Sequence, residues 1–546
     1  MKARGFGKVK IMKILKKDTA IIAYIICLII RILLCNLIGD EGVGLFAPAF
    51  EIFTLISLIF SHGISRTMAG MIRSRVKREQ FKSARRIFSV AFKLSIIISV
   101  IAAIILVLGA GIISDSLILE PMSKKAVMAT APALILVALV NVFRGYFYGN
   151  GFGLLVVHSQ YIEKIAMLIL SVFGGRLMYD YGLKVSALLK MDMPAYAYGA
   201  LGVMVGIMLA ELVTLIYLLF VFAIYSGTWK KQLAQDGARR TENSGEVMGM
   251  LFSSAFPFAS IVIVFNSFML IDQRFFNYCM NRLELDAQRA GLWGAYYGKS
   301  AAIIGIGAAL VCLALSGNVG KIASAYEKEE YHLMRDRIGS AVKTLCIFAM
   351  PIVVFIAVMA EAFINGIYQG ENETAISLTR QGCIIVFFYA AAYLFGQLML
   401  KIHMAKEFLI SLLISFVIHI AAIFVMDRVT LMGAYGIIYS LIIFIGILAV
   451  LCFIFIIRSF NYRQELIYSV LFPALSACVA GLLVMFLKKL LLSVIGNLLT
   501  LLVSGIIAVF LYILLLMILR VISGEELSKL PFSNLWISLG RMIGVV

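Results

Sequence analysis

The hydrophobic pattern of this chain is one of long apolar runs separated by short polar segments. Fourteen runs of roughly twenty residues or more follow one another, at about 19–38, 45–72, 87–112, 126–148, 157–178, 195–225, 249–272, 293–320, 343–365, 378–400, 408–426, 433–457, 466–487 and 496–519. A helix needs about 20 predominantly apolar residues to cross the hydrocarbon core of a bilayer. The pattern therefore predicts an all-α polytopic membrane protein with about fourteen transmembrane helices. The expected layout is an N-terminal segment 1–18, a lobe of six spans at 19–225, a linker 226–248, a second six-span lobe at 249–457, two more spans within 458–519 and a tail 520–546. A faint internal repeat supports two pseudo-symmetric lobes. Arg86-Ile-Phe-Ser-Val-Ala-Phe-Lys-Leu94 matches Arg337-Ile-Gly-Ser-Ala-Val-Lys-Thr-Leu345 at four of nine positions, each at the start of a span that follows a charged loop. Internal repeats of this kind build many secondary transporters.

Composition narrows the class. Of 546 residues, 62% are hydrophobic and 14% are charged, against about 45–50% and 25% in ordinary soluble domains. The formal net charge of +19 is a matter of topology. Segments on the N-terminal side of the spans hold 30 Lys and Arg, and the opposite side holds 10. Cytoplasmic loops carry such an excess, so both termini are expected in the cytoplasm. The basic N-terminus MKARGFGKVKIMKILKK reads as a segment lying on anionic lipid headgroups. No nucleic-acid partner is expected. The eight cysteines are scattered and form no CxxC pair, which predicts buried thiols and no metal site.

Charge within the spans marks the candidate chemistry, because an ionisable side chain there is costly unless a cavity or a partner receives it. Arg31 in span 1 and Glu51 in span 2 lie at matching depths, about 10 Å from the outer end of each span. A short hairpin joins the two spans, so Arg31 and Glu51 are expected to pair. Glu51, His62 and Arg66 share one face of span 2, separated by about 20° and 60° at 100° per residue, and that stripe is expected to line a polar cavity. For Arg66, near the cytoplasmic end, a snorkelling role competes with phosphate binding. For His62, a structural hydrogen bond competes with proton transfer. Lys299 in span 8 lies as deep as Arg31, and Asp272 with Arg274 marks the end of span 7. Glu211 and Glu361 are intramembrane acids with no partner assignable from sequence. Deep bases in both lobes would give a cavity suited to a phosphate-bearing substrate. No phosphate-binding glycine loop, nucleophile elbow or His/Cys cluster is present in the sequence, so no enzyme and no cofactor are expected. A coupling ion, Na+ or H+, cannot be read from the residues.

Gly39-Asp-Glu-Gly-Val-Gly-Leu-Phe46 after an Arg31-bearing span, Arg144-Gly-Tyr-Phe-Tyr-Gly149, Ser159-Gln160-x-x-Glu163, Ala255-Phe-Pro257, Leu270-Ile-Asp272 and the ending Gly524-Glu-Glu-Leu-Ser-Lys-Leu-Pro531 resemble the polysaccharide-flippase branch of the multidrug/oligosaccharidyl-lipid/polysaccharide superfamily. Within it, the likeness is to the stage V sporulation protein B group, with the lipid II flippases as cousins. The resemblance implies a two-lobed helical transporter that moves an undecaprenyl-diphosphate-linked glycan precursor by alternating access. It implies diphosphate contacts at Arg31 and Lys299, with Arg66 a third candidate. Arg144, Glu163 and Asp272 of these motifs join Glu51 and His62 of the span 2 stripe in a cavity-lining or coupling set. Membrane lipids and envelope-synthesis proteins would be its partners. The chain departs from the family pattern where the lipid II branch has bases and this chain has Ser57 and Leu58. It departs again where the polysaccharide branch commonly has proline and this chain has Glu51, Ser65 and Gly320. Three alternatives stay open at this point: a cation-coupled multidrug exporter of the same superfamily, a membrane glycosyltransferase or polymerase, and a non-transporting partner in sporulation or envelope synthesis.

Overall fold

The structure is a computed structural model, described over residues 19–236, 242–370, 372–522 and 533–543. The basic segment 1–18 and the Gly524–Pro531 motif lie outside the described residues. The described chain is nearly all helix. In order it forms α1 (Thr19–Leu58), a π-helical turn (Ile59–Ser65), α2 (Arg66–Val76), α3 (Phe81–Ile112), α4 (Lys124–Gly149), α5 (Gly153–Leu189), α6 (Met193–Gln235), α7 (Ser244–Asn266), α8 (Phe268–Arg282) and α9 (Arg289–Gly294). A further π-helical turn (Ala295–Ser300) leads into α10 (Ala301–Glu327), α11 (Tyr331–Ile367), α12 (Glu373–Gly382), α13 (Ile385–Lys401), α14 (Ala405–Ile423), α15 (Ala434–Phe460), α16 (Phe472–Ile518) and α17 (Ser533–Ile543).

Among the described residues twelve helices are long and apolar enough to cross a membrane, and the pair α12–α13, bent by 45°, makes a thirteenth. The first, Ile21–Val76, has 56 residues. At 1.5 Å per residue it would reach about 84 Å, far beyond a hydrocarbon core of about 30 Å. It is broken at Gly39, whose φ of 72° lies in the left-handed region that glycine enters without steric cost. Divided there it gives two crossings, and the expected fourteen are recovered.

Two boundaries differ from the sequence reading. Span 2 runs on to Val76, so Arg73 and Arg75 are helical and the turn before α3 is only residues 77–80. Span 7 does not end at Asp272. A break at Ser267 is followed by α8, which continues to Arg282. The polar pair Asp272 and Arg274 imitates a span end, but Asp272 is fully buried inside α8.

The chain divides into two compact units. One extends to Gly298 and takes in Ile423–Ile437; the other holds Lys299–Ala422 and the chain from Ile438 onward. In the first, α3 buries Ser83, Ala84, Ala91, Ser95, Ser99, Ala103 and Ala110 along one stripe, the small-residue packing that draws helices together where lipid removes the hydrophobic drive. At its core Phe88, Phe143, Tyr146, Phe147 and Trp229 are buried together. The α5–α6 contact is closer still, since a Cβ on Gly202 would stand 2.2 Å from the Gly174 carbonyl oxygen. In the second unit, Lys488 on α16 meets Glu361 on α11 at 2.7 Å, which supplies the partner that sequence did not. The Lys488 side chain is 12% exposed and that of Glu361 45%, and removing one partner of a pair held among apolar spans leaves the other charge uncompensated. Glu361→Gln is therefore expected to lower the unfolding midpoint of the detergent-solubilised protein, and Glu361→Gln/Lys488→Gln to recover most of it. An unchanged midpoint in Glu361→Gln would show that the pair lies in water and contributes little.

Candidate functional site

The first cluster is built on α1. Arg31 lies before the Gly39 break and Glu51 after it, and Arg31 Nη2 donates to Glu51 Oε1 at 3.1 Å. The expected pairing is present. A third member comes from far along the chain: the Tyr297 hydroxyl donates to the same Oε1 at 2.5 Å. The Arg31 guanidinium also lies over the Tyr297 ring, 3.8 Å from its centroid, with Phe50 at 5.6 Å. Charge, hydrogen bond and cation–π attraction thus hold one buried guanidinium. Arg31 is only 8% exposed, and its Nε has no hydrogen-bond partner.

Glycine contacts bring Tyr297 into place. A Cβ on Gly294 would stand 1.8 Å from the Asp40 carbonyl oxygen, one on Gly44 1.9 Å from the Ala290 oxygen, and one on Gly298 2.2 Å from Cys35 Sγ. Helix α9 and the turn after it therefore lie backbone-to-backbone on the Gly39 hairpin, an approach open only to glycine. Arg289 anchors the start of α9 through Glu120 Oε2 at 2.7 Å and Asn281 at 2.9 Å. Beside the cluster, the buried Tyr296 hydroxyl has no hydrogen-bond partner, and Asp272 interacts electrostatically with Tyr296.

The second cluster lies on α4, α5 and α6. Arg144 Nη1 contacts Glu163 Oε2 at 2.6 Å, Lys164 Nζ contacts Glu163 Oε1 at 2.5 Å, and Arg144 Nε donates to Ser159 Oγ at 2.9 Å. Arg144 and Glu163 were both candidates, and the structure makes them an ion pair. Lys164 and Glu211, which interacts electrostatically with all three, complete the group.

The remaining candidates fall elsewhere. Arg66 and His62 are exposed, and the Arg66 guanidinium lies 4.9 Å from the Phe258 ring centroid. The π-helical turn Ile59–Ser65 interrupts the α-helical spacing from which a shared face for Glu51, His62 and Arg66 was inferred. Lys299 is 2% exposed in the second unit, where its Nζ donates to Asn372 Oδ1 at 2.8 Å and lies 5.7 Å from the Tyr368 ring centroid. Asp427, which falls between the apolar runs 408–426 and 433–457, is fully buried in a π-helical turn and interacts electrostatically with Asp272. Among the described residues no group of three or more His, Cys, Asp or Glu is arranged to hold a metal ion, and all eight cysteines are free thiols.

Set beside known proteins, residues 19–316 match the family described as Polysaccharide biosynthesis protein. Stage V sporulation protein B of Bacillus subtilis (strain 168) is 22% identical over 227 residues, which is 42% of this chain and 41% of that protein. The match thus spans about two fifths of the relative's length. Among solved structures, the lipid II flippase MurJ in an inward closed conformation superimposes with a TM-score of 0.67 at 13% identity, over 93% of this chain and 99% of that one. An inward-facing multidrug resistance MATE transporter of the MOP superfamily gives 0.61 at 15% identity, over 80% and 94%. The fold is that of these polytopic membrane transporters.

Proposed function

This chain belongs to the polysaccharide biosynthesis protein family, and on that premise we propose that it is a MOP-type transporter that flips an undecaprenyl-diphosphate-linked glycan precursor across the bacterial cytoplasmic membrane. The observation that carries this reading is the buried Arg31, held by Glu51 and Tyr297 within the spans. Its guanidinium is desolvated in advance, and Glu51 occupies the position that a phosphate oxygen would take. An incoming diphosphate exchanges one anion for another at a cation already stripped of water, and guanidinium receives phosphate in the same forked geometry as carboxylate. The polyprenyl tail stays in the bilayer, so only the sugar-diphosphate head needs a polar path. With the termini in the cytoplasm, an inside-negative potential favours outward movement of that head by about 2.3 kcal/mol per charge per 100 mV. Lys299, buried in the second unit, is the second cation of the proposal, and alternating access is the motion it requires.

Binding tests the chemistry apart from transport. In detergent, undecaprenyl diphosphate is expected to raise the unfolding midpoint of the protein, and undecaprenol, with the same tail and no phosphate, is not. Equal stabilisation by both lipids would mean that the tail alone is recognised. Stabilisation by cationic drugs and not by the diphosphate would favour an exporter.

A further inference from the structure

The second cluster contains one carboxyl that its surroundings leave unserved. Glu211 lies near the middle of α6 and is 1% exposed, and neither of its carboxyl oxygens has a hydrogen-bond partner. Two bases and one other acid face it. From α4 comes Arg144, and from α5 come Glu163 and Lys164. On α1, the Cys27 thiol interacts with Lys164. Helix α3 and the turn at Pro121–Ser123, which also touch α6, bring no charged group to bear on Glu211. Both bases are spent on Glu163, at 2.6 and 2.5 Å. Yet one donor is left over: Arg144 Nη2 is buried and has no partner.

An ionised carboxylate buried without a single hydrogen bond is prohibitively costly, whereas a neutral carboxyl is tolerated. In this arrangement Glu211 therefore carries its proton, and Arg144, Lys164 and Glu163 together hold one net positive charge. Loss of the proton brings the four side chains to zero net charge. It also provides the acceptor that Arg144 Nη2 lacks. The first state spares a desolvated anion and the second spares an unbalanced cation, so the two are closely matched. We propose that Glu211 is a proton-binding site of the first unit: protonated, it leaves Glu163 with both bases; deprotonated, it takes Arg144 Nη2, and one guanidinium then bridges an acid on α5 and an acid on α6. Proton release tightens α4, α5 and α6 through a charge-assisted network, and proton uptake loosens them. The site stands whatever the transported substrate is.

Infrared difference spectroscopy of the full-length protein in lipid nanodiscs tests this, with buffers stepped from acid to alkaline. The wild type is expected to lose a protonated-carboxyl C=O band on alkalinisation, and Glu211→Gln to lack that band at every pH. Glutamine reproduces the neutral form, so the variant is expected to fold; Glu211→Asp provides a second check, with the band displaced but still titrating. Arg144→Lys, which removes the Nη2 donor, is expected to move the loss of the band to higher pH. A wild-type band that never titrates, or one that persists in Glu211→Gln, would overturn the proposal. So would a band that disappears on adding sodium at fixed pH, which would make the site one for a metal ion.

Discussion

Replacing Arg31 by glutamine is expected to abolish transport and also to destabilise the protein, and the two effects separate in a double variant. Arg31→Gln leaves Glu51 with only the Tyr297 hydroxyl. Breaking one side of a buried ion pair costs about 3–5 kcal/mol, because the other charge stays buried without compensation. A lower unfolding midpoint would follow from that alone, whatever Arg31 does. Arg31→Gln/Glu51→Gln removes both charges, and neutral replacement of both partners is close to neutral in stability. The double variant should therefore regain most of the lost midpoint and still fail to transport. Glu51→Gln alone keeps the cation on the Tyr297 ring and should still bind undecaprenyl diphosphate. If the double variant transported at the wild-type rate, the cluster would be a structural staple and the anion site would lie elsewhere.

The second large effect is expected at Gly294. A valine there would place its Cβ 1.8 Å from the Asp40 carbonyl oxygen and 2.6 Å from its carbonyl carbon. Those are backbone atoms of the hairpin, so no side-chain rotation relieves the clash. Overpacking of a close contact costs about 1–3 kcal/mol and sometimes more, and the upper part of that range is expected here. The turn that carries Tyr297 begins at the next residue. Gly294→Val should therefore lower the unfolding midpoint and abolish transport together, while Arg31 and Glu51 are untouched in sequence. Gly249→Ala is the control, since a Cβ there meets nothing within 4 Å. Equal behaviour of the two variants would mean that α9 does not depend on its contact with the hairpin.

Much of the architecture was legible because the bilayer imposes it. Span length and the apolar runs determine the crossings, and the Gly39 hairpin together with matched depth was enough to pair Arg31 with Glu51. Tyr297 was not legible: it stands 246 residues from Glu51, and nothing local in an apolar stretch marks a tyrosine as a hydrogen-bond donor to a distant acid. Gly294 looked unremarkable in sequence, because its role is a contact between segments far apart in the chain. Asp272 misled, since a buried acid followed by Arg274 has the same pattern as a span end. Asp427 was missed for the converse reason, lying beside Arg428 where a loop was expected. Glu211 was noticed as an intramembrane acid, but its importance depends on which neighbours hold bonds and which do not, and that is a property of three packed helices.

The central claim is tested most directly by reconstituting the protein into vesicles with a fluorescent undecaprenyl-diphosphate glycan in both leaflets. The fraction protected from an external sugar-modifying enzyme is then followed in time. Wild-type protein is expected to expose the protected pool, and the Arg31→Gln/Glu51→Gln variant, inserted equally well, is expected to leave it protected as in protein-free vesicles. A wild-type pool that stays protected, under any imposed potential or pH gradient, would contradict the claim that this chain flips a lipid-linked glycan.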